Sequence, residues 1–174
     1  MRQIILIFAV ATFYSCTTSS STNSDKVEAT DIKNTASELK APISLSYSTI
    51  ALKFINAYVD NANKMSQSVE MQDWVNSSDL VSNDFRAELD KIIKEAFEED
   101  PEYGLGFDPI FDAQDYPEEG LVLLNYDSTS NIATVRGKQW EAFLLNIRMT
   151  NQNGQVLVDG CGVVNIPLEL RAKR

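Results

Sequence analysis

The stretch WEAFLLNIRMTNQNGQVLVDGCGVVNI, residues 140–166, decides the fold of this chain. Every second side chain from position 143 is apolar: Phe143, Leu145, Ile147 and Met149. This alternation predicts a strand over 140–150 with one face in the core, its opposite face being covered only at the start. The Asn153-Gly154 pair is the usual signal of a tight hairpin turn, so a returning strand is predicted over 155–166. Two glycines within that strand, Gly160 and Gly162, predict a bulge or a sharp bend.

Shorter strands and two long helices precede this hairpin. Residues 121–126 and 132–136 are apolar runs separated by a turn, which brings the predicted sheet to about four antiparallel strands. Helical spacing of apolar residues predicts one amphipathic helix that begins near 44–48 and a second helix over 82–99. Ser82 is the expected N-cap of the second helix, and Asp100 before Pro101 ends it.

This order of elements predicts the α+β class, with two N-terminal helices packed on a curved antiparallel sheet. The apolar stripes of the helices have no other surface on which to be buried. We expect the helices to cross the concave side of the sheet and to leave a conical cavity at one end.

Charge and missing residue types narrow the functions that the chain can have. The net charge is −10, and residues 73–119 hold fifteen acidic and three basic residues. Nucleic acid is not an expected partner, because phosphate contacts need a basic face. The chain has no histidine and two cysteines, so a Ser-His-Asp triad or a zinc site of the usual kind is not expected, and no cofactor is predicted. The acidic region suits a solvated helix face, a basic partner or a divalent cation.

The N-terminus predicts export and lipid anchoring. Arg2, the ten-residue apolar run 4–13 and Ser15 before Cys16 are typical of a bacterial lipoprotein signal. We expect residues 1–15 to be a signal peptide, Cys16 to carry palmitate and other acyl chains, and residues 16–41 to form a flexible tether. The single domain would then span 42–168, with a frayed tail at 169–174. An ordinary cleaved secretory signal is the alternative, because Phe13 stands where the lipoprotein pattern has leucine.

If Cys16 carries lipid, the mature protein has no disulfide, and Cys161 is expected to be a small buried apolar residue.

Residues 108–115 concentrate the polar side chains that suggest a site. Asp108, Asp112, Gln114 and Asp115 place three carboxylates and one amide within eight residues. They could bind a hard cation or form a polar site at the cavity mouth, although the spacing is not that of an EF-hand. The structural alternative is that Asp108 caps a turn before Pro109, that Gln114 bonds to backbone, and that Asp115 pairs with a base or fastens the loop to the sheet.

The same segment, Asp108-Pro109-Ile110-Phe111-Asp112-Ala113-Gln114-Asp115, resembles a motif of a known family. It looks like the D-P-x-x-x-A-Q-D segment of an uncharacterised bacterial lipoprotein family with a nuclear transport factor 2-like, cystatin-like fold. The strand ending 154–159 is similar to the end of that family, with Val156 in place of an aromatic residue. The resemblance covers about residues 48–166. It implies a cone-like fold and export, and no activity.

Further candidates lie on the predicted strands and around the cavity. Tyr116 and Trp140 are candidate ligand-binding aromatics, with Tyr58 and Tyr126 as further cavity liners, and the core is the alternative place for all of them. Asp159 would be a general acid or base if it were buried alone, and pairing with Arg136 or Arg148 is the alternative.

The sequence therefore favours a non-enzymatic lipoprotein of the bacterial cell envelope. Its lipid would hold it at the outer membrane, on the periplasmic or the surface face. It would bind a partner protein, a wall fragment or a small ligand. One alternative is a carboxylate-dependent hydrolase or isomerase that uses Asp115 or Asp159 as base and Tyr58 or Tyr116 as donor. An immunity-type inhibitor protein is another.

Overall fold

The computed structural model describes residues 40–172. The predicted signal peptide, Cys16, the tether up to residue 39 and the last two residues of the tail lie outside the described residues. Three α-helices come first: α1 spans Lys40–Ala62, α2 spans Met71–Ser77, and α3 spans Asn83–Glu99. The strands follow as β1, Leu121–Asp127; β2, Ile132–Gly137; β3, Leu144–Gln152; and β4, Gln155–Cys161.

The α+β class and the four-stranded antiparallel sheet are confirmed, with the strands in the order β1-β2-β3-β4. The short helix α2 lies between the two predicted long helices and contains Asp73-Trp74-Val75, which the sequence indicates as the start of a short helical turn. A 3-10 helix at Leu168–Leu170 also follows the sheet, so the helical segments are not all N-terminal. The Asn146 side chain donates to the Leu170 carbonyl oxygen at 2.7 Å, which fastens part of the predicted tail to β3.

The start of α3 agrees with the local sequence signals, whereas the start of α1 does not. Ser82 is the N-cap of α3, since its hydroxyl accepts a hydrogen bond from the Phe85 amide at 3.0 Å, as predicted. The predicted start of α1 near 44–48 was wrong, because α1 begins at Lys40. Pro42 lies in the first turn of α1, where its missing amide costs no intrahelical hydrogen bond.

The last two strands are shorter than predicted. β3 begins at Leu144 rather than at Trp140, since residues 137–143 form a turn in which the Gly137 amide donates to the Phe143 carbonyl. β4 ends at Cys161 rather than at Ile166. The predicted bulge is present at Asp159, because Arg148 pairs with Gly160 and Met149 pairs with Val158. Asn153 and Gly154 both have positive φ, as expected for the predicted hairpin turn.

The core lies between α1, α3 and one face of the sheet. The alternating residues of β3 are buried as predicted, and α1 packs on all four strands. Four phenylalanines in this core are fully buried: Phe54, Phe85, Phe111 and Phe143. Cys161 is also fully buried, with its sulfur 3.4 Å from the Ile110 carbonyl oxygen, in agreement with its expected apolar role.

Candidate functional site

Asp108 connects the turn after α3 to helix α1. Its Oδ1 accepts hydrogen bonds from the amides of Ile110 at 2.8 Å and Phe111 at 3.0 Å, so the predicted cap is confirmed. Its Oδ2 accepts a hydrogen bond from the Tyr58 hydroxyl at 2.6 Å. Tyr58 comes from α1, 50 positions earlier, and its side chain is buried between the rings of Trp74 and Phe111.

Burial dominates the protonation of this pair. It raises the pKa of Asp108, while the hydrogen bonds from Tyr58 and the two amides act in the opposite direction. The pKa of Tyr58 is raised well above 10, first by burial and then by the Asp108 charge. The proton therefore stays on Tyr58, whose hydroxyl points into the carboxylate. Because Tyr58 is only 3% exposed, the pair holds the turn in place and presents little surface to a ligand.

The other polar residues of 108–115 do not share a common hydrogen-bond partner among those that the structure shows. The Gln114 amide donates to the Gly106 carbonyl oxygen at 3.1 Å, which is the backbone bond predicted as the structural alternative. Asp112 has a φ of 54°, a left-handed conformation, and Asp115 is exposed without a hydrogen bond or ion pair to the described residues. Within residues 40–172, no group of three or more Asp, Glu or Cys side chains is placed to hold a metal ion.

Asp159 lies in an ion pair and is not an isolated acid. Its carboxylate accepts hydrogen bonds from the Arg148 guanidinium at 2.9 Å and from the Ser82 hydroxyl at 2.7 Å. The predicted pairing with Arg148 is confirmed, whereas Arg136 pairs with Glu141. The Asp159 bulge thereby joins β4 to β3 and to the start of α3. Neither Asp115 nor Asp159 accepts a hydrogen bond from the Tyr58 hydroxyl, which donates to Asp108.

Tyr116 and Trp140, which lie 24 positions apart in sequence, line one surface cleft of about 270 Å³. Four further residues complete its lining: Pro117, Glu118, Glu119 and Gln139. We call this surface the Tyr116–Trp140 cleft. It brings two of the predicted ligand-binding residues together, and it adds two carboxylates and an amide that the sequence did not single out.

Two tight turns build the Tyr116–Trp140 cleft. One covers 116–120, in which the Gly120 amide donates to the Pro117 carbonyl oxygen, and the other covers 137–143. They are joined by a bond from the Lys138 amide to the Gly120 carbonyl oxygen, and Pro117 packs closely on Gly137. A side chain at position 137 would collide with Pro117 and with the Trp140 carbonyl oxygen, so glycine is needed there.

Each of the two aromatic rings packs on a buried phenylalanine. Tyr116 stacks on Phe111 with ring centroids 4.8 Å apart and planes 7° apart, and its hydroxyl donates to the Asn63 side chain at 3.1 Å. Trp140 packs against Phe143 at 5.2 Å and stays 44% exposed. Tyr126, another predicted cavity liner, instead pairs with Tyr47 at 5.8 Å.

A second surface, which the sequence interpretation missed, lies where α2, α3 and the 103–107 loop meet. It is a groove of about 230 Å³ with six apolar side chains along it: Met71, Ile93, Phe97, Tyr103, Leu105 and Phe107. We call it the α2–α3 groove. Three aromatic residues within fifteen positions of an otherwise acidic segment are the only sequence signal of it.

Comparison with known proteins gives no relative: no protein-family model, no curated protein and no solved structure matches this chain. Residues 40–172 thus form an α+β domain that carries these two solvent-facing aromatic clefts. In the described part of the chain, no helix has the length and apolar character needed to cross a membrane.

Proposed function

We propose that this chain is a lipid-anchored protein of the cell envelope whose domain, of the nuclear transport factor 2-like kind, binds a small cationic ligand without catalysing a reaction. The observation that carries the binding role is the Tyr116–Trp140 cleft, whose lining combines two aromatic side chains with those of Glu118 and Glu119. The resemblance of 108–115 to the lipoprotein family and the helix-then-sheet order support the fold assignment.

The composition of the cleft favours an ammonium group on the ligand. The faces of Trp and Tyr attract a cation that lies within about 6 Å of the ring centroid. Glu118 and Glu119 are exposed and form no ion pair with the residues that the structure describes, so their charges are available to a ligand. Gln139 adds an amide that can bond to a neutral part of the same molecule.

The cleft is also preformed. Because the Tyr116 hydroxyl is bonded to Asn63 and its ring is stacked on Phe111, the ring is held in place before a ligand arrives. Little conformational entropy of the Tyr116 ring is therefore lost when a ligand binds, which favours affinity.

A matched pair of probes tests this proposal: choline and its neutral isostere 3,3-dimethylbutan-1-ol, titrated against the purified protein by isothermal titration calorimetry, which does not depend on a tryptophan signal. Loss of the charge should weaken binding about fivefold to thirtyfold, the equivalent of about 1–2 kcal/mol of cation–π and carboxylate attraction. Trp140→Ala should abolish choline binding, and Tyr103→Ala, in the separate α2–α3 groove, should leave it unchanged. Equal binding of the two probes, or no effect of Trp140→Ala, would refute the assignment.

The anchor has its own test, which uses the two cysteines. Radiolabelled palmitate fed to cells should be incorporated into the chain and lost in Cys16→Ala. Cys161→Ala is the matched control and should keep the label, because Cys161 is fully buried. Label that survives Cys16→Ala would rule out lipidation at this position.

A further inference from the structure

We propose that the α2–α3 groove is a docking site for a basic, amphipathic segment of a partner protein. This surface is separate from the Tyr116–Trp140 cleft, and the proposal stands independently of the small-ligand function. It is argued from the apolar lining of the groove, from the way its loop is held, and from the charge around it.

Three aromatic side chains along the groove are partly exposed. Phe97 is 53% exposed, Tyr103 is 71% exposed, and Phe107 is 36% exposed. Scattered exposed apolar side chains need no explanation, but a contiguous apolar patch around a concavity marks an interaction site. The shape suits the apolar face of a peptide that places side chains into the groove at regular spacing.

The loop that forms one wall is held by specific bonds. The Gly104 amide donates to the Asp100 carbonyl oxygen at 2.9 Å, and the Gln114 side chain donates to the Gly106 carbonyl oxygen at 3.1 Å. Gly104 has a φ of +60°, which favours glycine, and lies against the Phe97 ring, which a side chain at position 104 would crowd. The loop wall of the groove is therefore a built feature of the fold.

A second cleft of about 340 Å³ lies beside the groove, along the end of α3, and Leu105 lines both of them. Ile92 and Ala96 supply its apolar wall, and Glu95, Glu99 and Asp100 supply its polar wall. The surface available to a partner thus extends on both sides of Leu105.

The charge around the groove selects a basic partner. Residues 95–102 hold five acidic side chains and no basic one. Among them only Glu98 is in an ion pair with the described residues, with Lys94 at 3.6 Å. The last turn of α3 carries no basic residue, so the negative end of the helix dipole adds to the field instead of being neutralised. Lys or Arg side chains that flank the apolar anchors would meet this charge, whereas an acidic segment or an anionic membrane would be repelled.

Three synthetic peptides of equal length test the proposal at 150 mM salt by fluorescence anisotropy with the purified full-length protein. One is an amphipathic Lys/Leu helix, one is its Glu/Leu counterpart, and one is a Lys/Ser peptide without apolar anchors. We expect the Lys/Leu peptide to bind at least tenfold more tightly than either of the others. Equal binding of Lys/Leu and Lys/Ser would show plain charge attraction and would overturn the docking site, as would tighter binding of Glu/Leu.

Variants locate the peptide on the surface. Tyr103→Ala should weaken the Lys/Leu peptide about tenfold, as loss of an aromatic anchor does, and the 71% exposure of Tyr103 leaves the fold intact. Glu99→Gln with Glu102→Gln should weaken it by about a further threefold to fivefold.

The control removes the same charge outside both clefts: Asp60→Asn with Asp79→Asn, two exposed acids that form no ion pair with the described residues, should leave peptide binding unchanged. If this control weakens binding as much as the groove variants do, the peptide does not occupy the groove.

Discussion

The hydrogen bond between Tyr58 and Asp108 gives the sharpest prediction about the fold. Tyr58→Phe removes a buried donor that lies 2.6 Å from Asp108 Oδ2 and leaves the packing of the ring unchanged. No other donor in the described part of the chain reaches this oxygen. A hydrogen bond to a charged group contributes about 1.5–3 kcal/mol, so we expect the free energy of unfolding at pH 7 to fall by that amount.

The loss should depend on pH in a defined direction. Burial raises the pKa of Asp108 above its usual 3.8, so the folded state holds this proton more tightly than the unfolded state does. Proton binding by Asp108 therefore stabilises the folded state fully below about pH 3.8, and this contribution is lost as the pH rises through the folded-state pKa.

Tyr58→Phe removes a bond that lowers this pKa, so the pKa rises further and the loss at neutral pH becomes larger. As the pH falls, a growing share of the Asp108 carboxyl is neutral, so the loss caused by Tyr58→Phe should shrink from its value at pH 7 toward that of a neutral hydrogen bond, which contributes about 0.5–1.5 kcal/mol.

Urea unfolding at pH 4 and pH 7 measures the loss at each pH. Each variant is compared with the parent protein at the same pH, so the titration of the other acidic groups cancels. Tyr116→Phe is the matched control, because its hydroxyl donates to Asn63 at 3.1 Å on the surface. That change should cost no more than about 0.5 kcal/mol at either pH, since the pKa of Tyr116 lies above 10. An equal loss for Tyr58→Phe at both pH values, or a loss no larger than that of Tyr116→Phe, would refute the role of Asp108.

Two further predictions concern the sheet. Asp159→Ala should cost about 2 kcal/mol at neutral pH in urea unfolding, because the Asp159 side chain is only 17% exposed and its removal leaves both Arg148 and the Ser82 hydroxyl without this acceptor. Glu141→Ala breaks a pair whose acidic side chain is 78% exposed and should cost less than about 0.5 kcal/mol. Equal costs would contradict the partial burial of the Asp159 pair. Gly162→Ala should lower the free energy of unfolding by more than about 3 kcal/mol or prevent folding, since Gly162 has a φ of +61° and a methyl group there would collide with the Pro109 carbonyl oxygen. A stable Gly162→Ala protein would show that the backbone can move away at this point.

Local patterns predicted most of the sheet and both ends of α3, with Ser82 as its N-cap and Asp100 as the residue that ends it. Alternation in β3 and the Asn153-Gly154 pair decide the hairpin by interactions between neighbours in sequence, and both were confirmed. The Ser82 cap is equally local. The errors lie where tertiary contacts override such patterns. Apolar residues at 140 and 142 continue the alternation of β3, yet the bond from the Gly137 amide to Phe143 turns the chain before the strand begins.

The surfaces were less predictable than the fold. Tyr116 and Trp140 were both candidates, but their meeting depends on the bond between the Lys138 amide and the Gly120 carbonyl oxygen, which joins two turns far apart in sequence. Tyr58 and Asp108 were considered separately for the same reason, since no local pattern pairs residues 50 positions apart. Phe97 continues the apolar stripe of α3 and would be assigned to the core from sequence, but the end of the helix extends past the sheet-facing core and leaves it 53% exposed.

The turn at 108–113 explains why the most polar segment of the sequence serves the fold first. From one side, α1 holds it through the Tyr58 hydroxyl on Asp108. From the other side, the end of β4 holds it, because the Val163 amide donates to the Pro109 carbonyl oxygen at 2.9 Å and Gly162 packs on the same backbone. Phe111 projects from this fixed turn, and Tyr116 stacks on it. The carboxylate of Asp108 thus acts on the Tyr116–Trp140 cleft at a distance, by fixing the ring on which one wall of the cleft rests. Loss of the Asp108 hydrogen bonds should make the Tyr116 wall of the cleft more mobile, although no group that would touch a ligand is removed.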